Sequence, residues 1–221
     1  FKIGYKTAFN EDNTKMPYQF IYTLRPDGAR LNDGDFAGSD FSPQAKIQYP
    51  AFYLLNSTLG KDPILKGFYY TYDQTFGSAG QDSVSLPIYL ITNDVDVKPE
   101  SFTKLPLTKY FGSPAGVMIA RTGWDMGLNT NDVVAMMKLP EYFWGSHEHY
   151  DAGSFQIFYK GMLALDSGLY ASKPYTDENG VKYAATGWGS THDMRYHKAT
   201  IAHNCMLVYD PSEPEAAGTS Y

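Results

Sequence analysis

The sequence has 221 residues, of which 43% are hydrophobic, so it is long enough to bury a packed core as one large domain or two smaller ones. The formal net charge is -6 and the lysines and arginines are scattered, which excludes the basic stripe that nucleic-acid binding requires. No apolar run approaches the about 18 residues that cross a bilayer, which excludes a membrane-spanning chain.

The first part of the chain predicts helices. Gln19 to Leu24 is the expected end of an early helix. A second helix is expected to start at the cap-then-proline pair Ser42-Pro43, to kink at Pro50 and to end at Gly60. The pair Asp62-Pro63 repeats the cap signature and predicts a third helix. The turn sequences between the first two are Arg25 to Gly28 and Asn32 to Asp35.

From about Pro114 the pattern changes to short strands. The predicted strands are Val117 to Arg121, Val133 to Leu139, Phe155 to Tyr159, Met162 to Asp166 and Thr200 to Tyr209. Lys160-Gly161 predicts a tight hairpin turn. The single cysteine, Cys205, lies in the last predicted strand, which predicts a buried, inert thiol. The proline-containing segment Asn93 to Tyr110 predicts a linker, so helices within 1–100 are expected to precede a sheet domain within 101–221.

All five histidines fall in the last third of the chain, although sheet structure does not demand histidine. They are His147, His149, His192, His197 and His203. On a strand, His147 and His149 would project from the same face, as metal chelation or a shared cleft would require. Histidine pairs with this spacing also occur by chance.

Two further residues place polar groups in apolar runs. Asp166 follows Leu163-Ala-Leu165, so a metal or a cation is expected to compensate its burial, and a turn cap is the alternative. His203 interrupts the run Ile201 to Val208, where a core histidine bonded to the backbone is the alternative. With His149, these residues form a two-histidine, one-carboxylate set that suits zinc and leaves one coordination position open.

Several motifs with consistent spacing resemble the heparinase II/III family of polysaccharide lyases, and heparinase II above all. They are Gly116 to Trp124, His147 to Phe155, Tyr159 to Gly161, Leu163 to Gly168, Ala199 to Asn204 and the turns Arg25 to Gly28 and Asp33 to Asp35. The resemblance implies the end of an incomplete α/α toroid followed by an antiparallel β-sandwich, an α+β architecture. It also implies that the chain is an excerpt of a longer protein.

The resemblance assigns roles to the candidate residues. It implies that His149, Asp166 and His203 bind a structural zinc, and that His147 takes part in proton transfer during eliminative cleavage of a uronic-acid polysaccharide. These separate roles require a bulge or loop, because strand spacing would put both histidines on one face. A catalytic tyrosine and its partner are expected upstream of Phe1.

Substrate-binding roles are implied for two neighbours of these residues. Ser146 stands where heparinase II has an asparagine that helps to hold the uronate carboxylate, so specificity is expected to differ. Tyr170 is placed to line the cleft, and packing against its own hairpin is the alternative. For His192 and His197, a surface role or a role behind the direct contacts is expected, and contact with sulfate or uronate groups is the alternative.

Two other function classes remain open from the sequence. A cupin-like metalloenzyme would use the His-x-His pair, but the glutamate expected soon after the second histidine is absent, and only Asp151 supplies an acid there. A non-catalytic, zinc-stabilised carbohydrate-binding sandwich would account for the 19 tyrosines. The lyase interpretation implies an acidic polysaccharide partner, a periplasmic or secreted location, and an assembly for which a homodimer is one option.

Overall fold

The computed structural model describes residues 11–31, 33–34, 51–76, 85–142, 147–167, 175–176, 178–180, 182–183, 193–206 and 211–212. The chain forms two compact units. The first comprises 1–31, 41–109 and 119–134, and the second comprises 32–40, 110–118 and 135–221. Across the described ranges, none of the helices has the length and apolar character needed to cross a membrane.

Among the residues that the structure describes, four α-helices belong to the first unit. They are α1 (Glu11–Tyr22), α2 (Ala51–Gly60), α3 (Pro63–Phe76) and α4 (Ser85–Thr92). The predicted caps are confirmed at α3, because Asp62 Oδ1 accepts hydrogen bonds from the backbone N–H groups of Ile64 and Leu65, at 2.9 and 3.1 Å. The predicted start of α2 at Ser42-Pro43 and its kink at Pro50 lie outside the described residues, and α4 was not predicted.

The predicted turn at Arg25 to Gly28 is confirmed. The Gly28 N–H donates to the Arg25 carbonyl at 3.0 Å, and Leu24 pairs with Arg30 in an antiparallel bridge. Gly28 has φ +87°, a left-handed conformation that a glycine adopts without steric cost.

Aromatic side chains fill the core of the first unit. The ring of Phe68 on α3 lies 4.9 Å from Tyr53 and 5.3 Å from Phe102, and Phe102 in turn meets Trp124 edge-on at 5.5 Å. Tyr22 packs against the same indole at 5.1 Å. Several tyrosines are therefore core residues, and their burial weakens the argument from tyrosine number to sugar stacking.

Arg121 completes this core with hydrogen bonds to backbone carbonyls. Its guanidinium donates to the carbonyls of Tyr22 at 2.9 Å and Leu24 at 2.5 Å, and it lies over the Trp124 ring at 4.3 Å. Burial lowers the pKa of Arg121 to about 10. The guanidinium thus satisfies carbonyls at the end of α1 and the start of the following turn.

Gly67 allows α3 to approach the segment before the buried Phe102. A Cβ on Gly67 would overlap the carbonyl oxygen of Glu100, whose own N–H donates to the Pro63 carbonyl at 2.9 Å. We expect Gly67→Ala to lower the free energy of unfolding by about 1–3 kcal/mol, because one backbone must move away from the other. Urea denaturation would measure this, with Gly60→Ala, at the more open end of α2, as the control.

Five strands form one sheet in chain order. They are β1 (Thr108–Phe111), β2 (Val117–Arg121), β3 (Val134–Lys138), β4 (Phe155–Phe158) and β5 (Met162–Ala164). The pairing of β4 with β5 is antiparallel, and the predicted turn at Lys160-Gly161 joins them. Two short strands, β6 (Tyr175–Thr176) and β7 (Lys182–Tyr183), form a separate antiparallel pair.

Helices and an antiparallel sheet confirm the predicted α+β class, whereas the toroid, the sandwich and the boundary near residue 100 stay predictions. Two local predictions were wrong. The linker segment contains β1 and the fully buried Phe102, because an aromatic side chain can complete the core from an irregular segment. The strand Thr200 to Tyr209 is, in its described part, a 3₁₀ turn at Thr200–Ala202 and irregular chain to residue 206.

Candidate metal centre and active site

The segment that carries His147 and His149 is a loop before β4, not a strand. His147 is exposed and His149 is 3% exposed, so the two rings are not equivalent. A strand would have put both histidines on one face, but this segment is a loop, whose backbone does not alternate its side chains. The separation of an exposed and a buried histidine is the arrangement that the family resemblance required.

Three predicted ligands meet in the second unit. Candidate ligand atoms of His149, Asp166 and His203 lie within 4.8 Å of one another, and all three residues are buried. His149 precedes β4, Asp166 follows β5, and His203 follows the 3₁₀ turn. Two of the residues therefore come from loops that flank strands and the third comes from the chain after a 3₁₀ turn, which corrects the expectation of three neighbouring strands.

The segment from Lys198 to Asn204 brings these loops together. The Tyr150 N–H donates to the Lys198 carbonyl at 2.9 Å, and the Ser167 N–H donates to the Ala202 carbonyl at 3.1 Å. The Asn204 side-chain amide donates to the Leu165 carbonyl at 2.7 Å. His149 and Asp166 thus each lie next to a residue whose backbone this segment anchors, and His203 belongs to the segment itself.

The donor set fits a divalent metal ion. His203 Nδ1 lies 2.8 Å from Asp166 Oδ1, a hydrogen-bonded contact of buried groups, and His203 Nε2 is buried without a hydrogen-bond partner among the described residues. A buried ring nitrogen without a partner is costly unless something else satisfies it. Two imidazoles and one carboxylate could bind such an ion and leave one coordination position open.

A buried lysine stabilises the loop next to the candidate ligands. Lys138 Nζ, at the end of β3, lies 3.0 Å from Asp151 Oδ2 and 2.8 Å from Asp33 Oδ1. Burial opposes the charge on Lys138, but the two carboxylates outweigh it and raise the pKa of the amine. Neither Lys138 nor its pairing with Asp151 was predicted, although a lysine that ends the apolar run Val133 to Met137 is a signal for a buried ion pair.

We expect Lys138→Met to lower the free energy of unfolding by about 3–5 kcal/mol, because Asp151 would stay buried without its cation. Thermal and urea denaturation would measure the loss. The matched control is Asp33→Asn, because Asp33 is about half exposed and a solvated partner contributes about 0–1 kcal/mol. Equal losses in both variants would contradict the assignment of Asp151 as the dependent charge.

Gly34 lies against the backbone of the exposed histidine. A Cβ on Gly34, which has φ +59°, would overlap the carbonyl oxygen of His147. Of the predicted turn at Asn32 to Asp35, the structure describes residues 33–34. This part of the turn packs on the loop that carries His147.

The remaining sequence predictions divide into three outcomes. Ser146, Tyr170 and His192 lie outside the described residues, so their substrate or surface roles stay predictions. Of the two roles expected for His197, the surface role was wrong, because its side chain is fully buried and pairs with Asp193, and the role behind the direct contacts stays a prediction. The prediction that Cys205 is buried in a strand was wrong, because the residue is half-buried and lies in irregular chain. Burial together with nearby Asp151 and Asp166 raises the pKa of its thiol.

Comparisons with known proteins give a structural match. No protein-family model matches the chain, and no curated protein sequence matches it. A solved heparinase III with methylated lysines matches over 91% of this chain and 24% of its own, with 19% identity and a TM-score of 0.51. A mutant of heparan sulfate lyase HepC from Pedobacter heparinus matches over 78% of this chain and 22% of its own, with 19% identity and a TM-score of 0.42.

The match to heparinase III is one of fold. At 19% identity it carries the architecture and not the chemistry. The chain spans about a quarter of the length of these solved structures. A heparinase-type fold is thus supported, while the particular similarity to heparinase II stays a prediction.

Proposed function

We propose that this chain is part of a polysaccharide lyase that cleaves a uronic-acid-containing glycosaminoglycan by β-elimination. The observation that carries the proposal is the buried group of His149, Asp166 and His203, together with the exposed His147 on the loop that carries His149. The likeness in fold to a solved protein named heparinase III adds to it. The substrate class and the reaction come from this likeness and from the motifs.

Zinc is the metal that suits the three ligands. Two imidazoles and a carboxylate at a buried site are typical zinc ligands, and zinc has no redox chemistry. When bound, the ion would supply a structural cross-link between the loops that carry His149, Asp166 and His203. Its binding free energy would then contribute to the folding of the second unit.

The proposed chemistry belongs to the exposed side of the loop. Elimination removes the proton on C5 of a uronate, while the O4 leaving group receives a proton and the product sugar becomes unsaturated. His147 is accessible to such a substrate, and its backbone is packed against Gly34. We assign His147 to proton transfer, and Ser146 and Tyr170 to substrate contact. The partner acid or base is assigned to the part of the protein that precedes this chain.

The test uses the whole protein and a panel of acidic polysaccharides that includes heparin, heparan sulfate, chondroitin sulfate and alginate. An unsaturated uronate absorbs in the ultraviolet, so elimination is followed directly, and elemental analysis reports zinc. Rising absorbance with about one zinc per chain is the expected result. Zinc with binding but no new absorbance on any polysaccharide would overturn the lyase and favour the carbohydrate-binding sandwich. A periplasmic or secreted location is part of the same proposal.

A further inference from the structure

A second histidine–aspartate pair lies beside the candidate ligands. Asp193 and His197 begin and end a short π-helix, Asp193–His197, and both side chains are fully buried. His197 Nδ1 lies 2.9 Å from Asp193 Oδ1. Single-turn π-helices are rare and often occur at functional sites. The ion pair between them compensates for part of the polarity that this position buries.

The ring of His197 packs on one of the candidate ligands. Its centroid lies 4.7 Å from that of His149, with the two rings at 66°, an edge-to-face arrangement. The ring of His203 lies 5.1 Å from His149. The His149 ring therefore packs against both a candidate ligand and a histidine outside the three-residue ligand group. The orientation of the His149 ring depends on both neighbours.

The backbone around the π-helix anchors the same loop. The Lys198 N–H donates to the Asp193 carbonyl at 2.9 Å, and the Lys198 carbonyl accepts from the Tyr150 N–H at 2.9 Å. The Thr200 hydroxyl donates to the Tyr150 carbonyl at 2.8 Å. The turn that holds the Asp193–His197 pair thus also holds the residue after His149.

We propose that Asp193 and His197 are positioning residues for the metal ligand His149, an inference that rests on the metal site proposed above. The Asp193 carboxylate fixes the plane of the His197 ring through Nδ1, and that ring fixes the orientation of His149. Groups behind the direct ligands commonly set ligand orientation, usually through hydrogen bonds to the ligand, and their loss weakens metal binding about 10–100-fold. Here the contact with the ligand is ring against ring.

The test measures metal affinity and ligand geometry in the full chain. His197→Asn keeps an amide that can donate to Asp193 but removes the ring that packs on His149, and Asp193→Asn weakens the hold on Nδ1. Zinc affinity is measured by competition with a chromophoric chelator, and the visible spectrum of bound Co²⁺ reports the coordination geometry. Met136→Ala, at a buried position in β3, is the control for a general loss of stability.

We expect His197→Asn and Asp193→Asn to bind zinc about 10–100-fold more weakly and to change the Co²⁺ spectrum. Met136→Ala is expected to melt earlier but to keep the wild-type affinity and spectrum. If His197→Asn does not fold, Asp193→Asn supplies the same comparison. Wild-type affinity and spectrum in His197→Asn and Asp193→Asn would overturn the positioning role and leave the metal site intact. The same change in Met136→Ala as in these two variants would also overturn it. If the unsubstituted chain binds neither metal, the metal site fails and the inference fails with it.

Discussion

His147→Ala in the whole protein is expected to reduce lyase turnover by about 10²–10⁴-fold, the usual contribution of a general acid or base. The reason is that His147 is exposed while its neighbour His149 is buried, so the substitution removes an accessible imidazole and leaves the candidate ligands in place. The measurement is the initial rate of unsaturated product formation at saturating polysaccharide.

The control for this prediction is Glu148→Gln in the same loop, which should retain most of the activity. The zinc content and the melting temperature of His147→Ala should match those of the unsubstituted protein. Activity close to the unsubstituted level in His147→Ala would remove this residue from proton transfer, and loss of zinc together with activity would mean that the loop itself was disturbed.

His149→Ala is expected to have the largest effect on metal binding. Loss of a direct ligand should weaken zinc binding by more than the about 10–100-fold caused by loss of a supporting group. With free zinc at about 100 times the dissociation constant, binding stabilises the native state by about 2.7 kcal/mol. For a chain of this size that corresponds to a melting temperature higher by about 5–10 °C, which the variant should not show.

Calorimetry with and without zinc would measure this stabilisation. His147→Ala is the matched control, because it changes a histidine in the same loop and should keep the zinc-dependent rise in melting temperature. A His149→Ala protein that still gains stability from zinc would show that the ion binds elsewhere, and the ligand assignment would be wrong.

Sequence patterns predicted those features that depend on neighbouring residues. The cap at Asp62, the turn at Arg25 to Gly28 and the hairpin turn at Lys160-Gly161 are confirmed, because each is decided by the conformations and hydrogen bonds of a few adjacent residues. Residue chemistry also identified the candidate ligands, since a carboxylate or an imidazole in an apolar run needs compensation.

Contacts between distant segments decided the features that local patterns did not predict. Residues Lys198 to Asn204 form hydrogen bonds with two loops that are 30 to 50 positions away, and this pairing replaces the strand that apolar content predicted. The burial of Asp193 and His197, and the pairing of Lys138 with Asp151, likewise depend on tertiary packing that local sequence does not specify. The sequence by itself determined which residue types could bind a metal. Only the tertiary structure decided that His149 is buried with Asp166 and His203 while His147 is exposed, because a loop does not impose a fixed side-chain alternation on its residues.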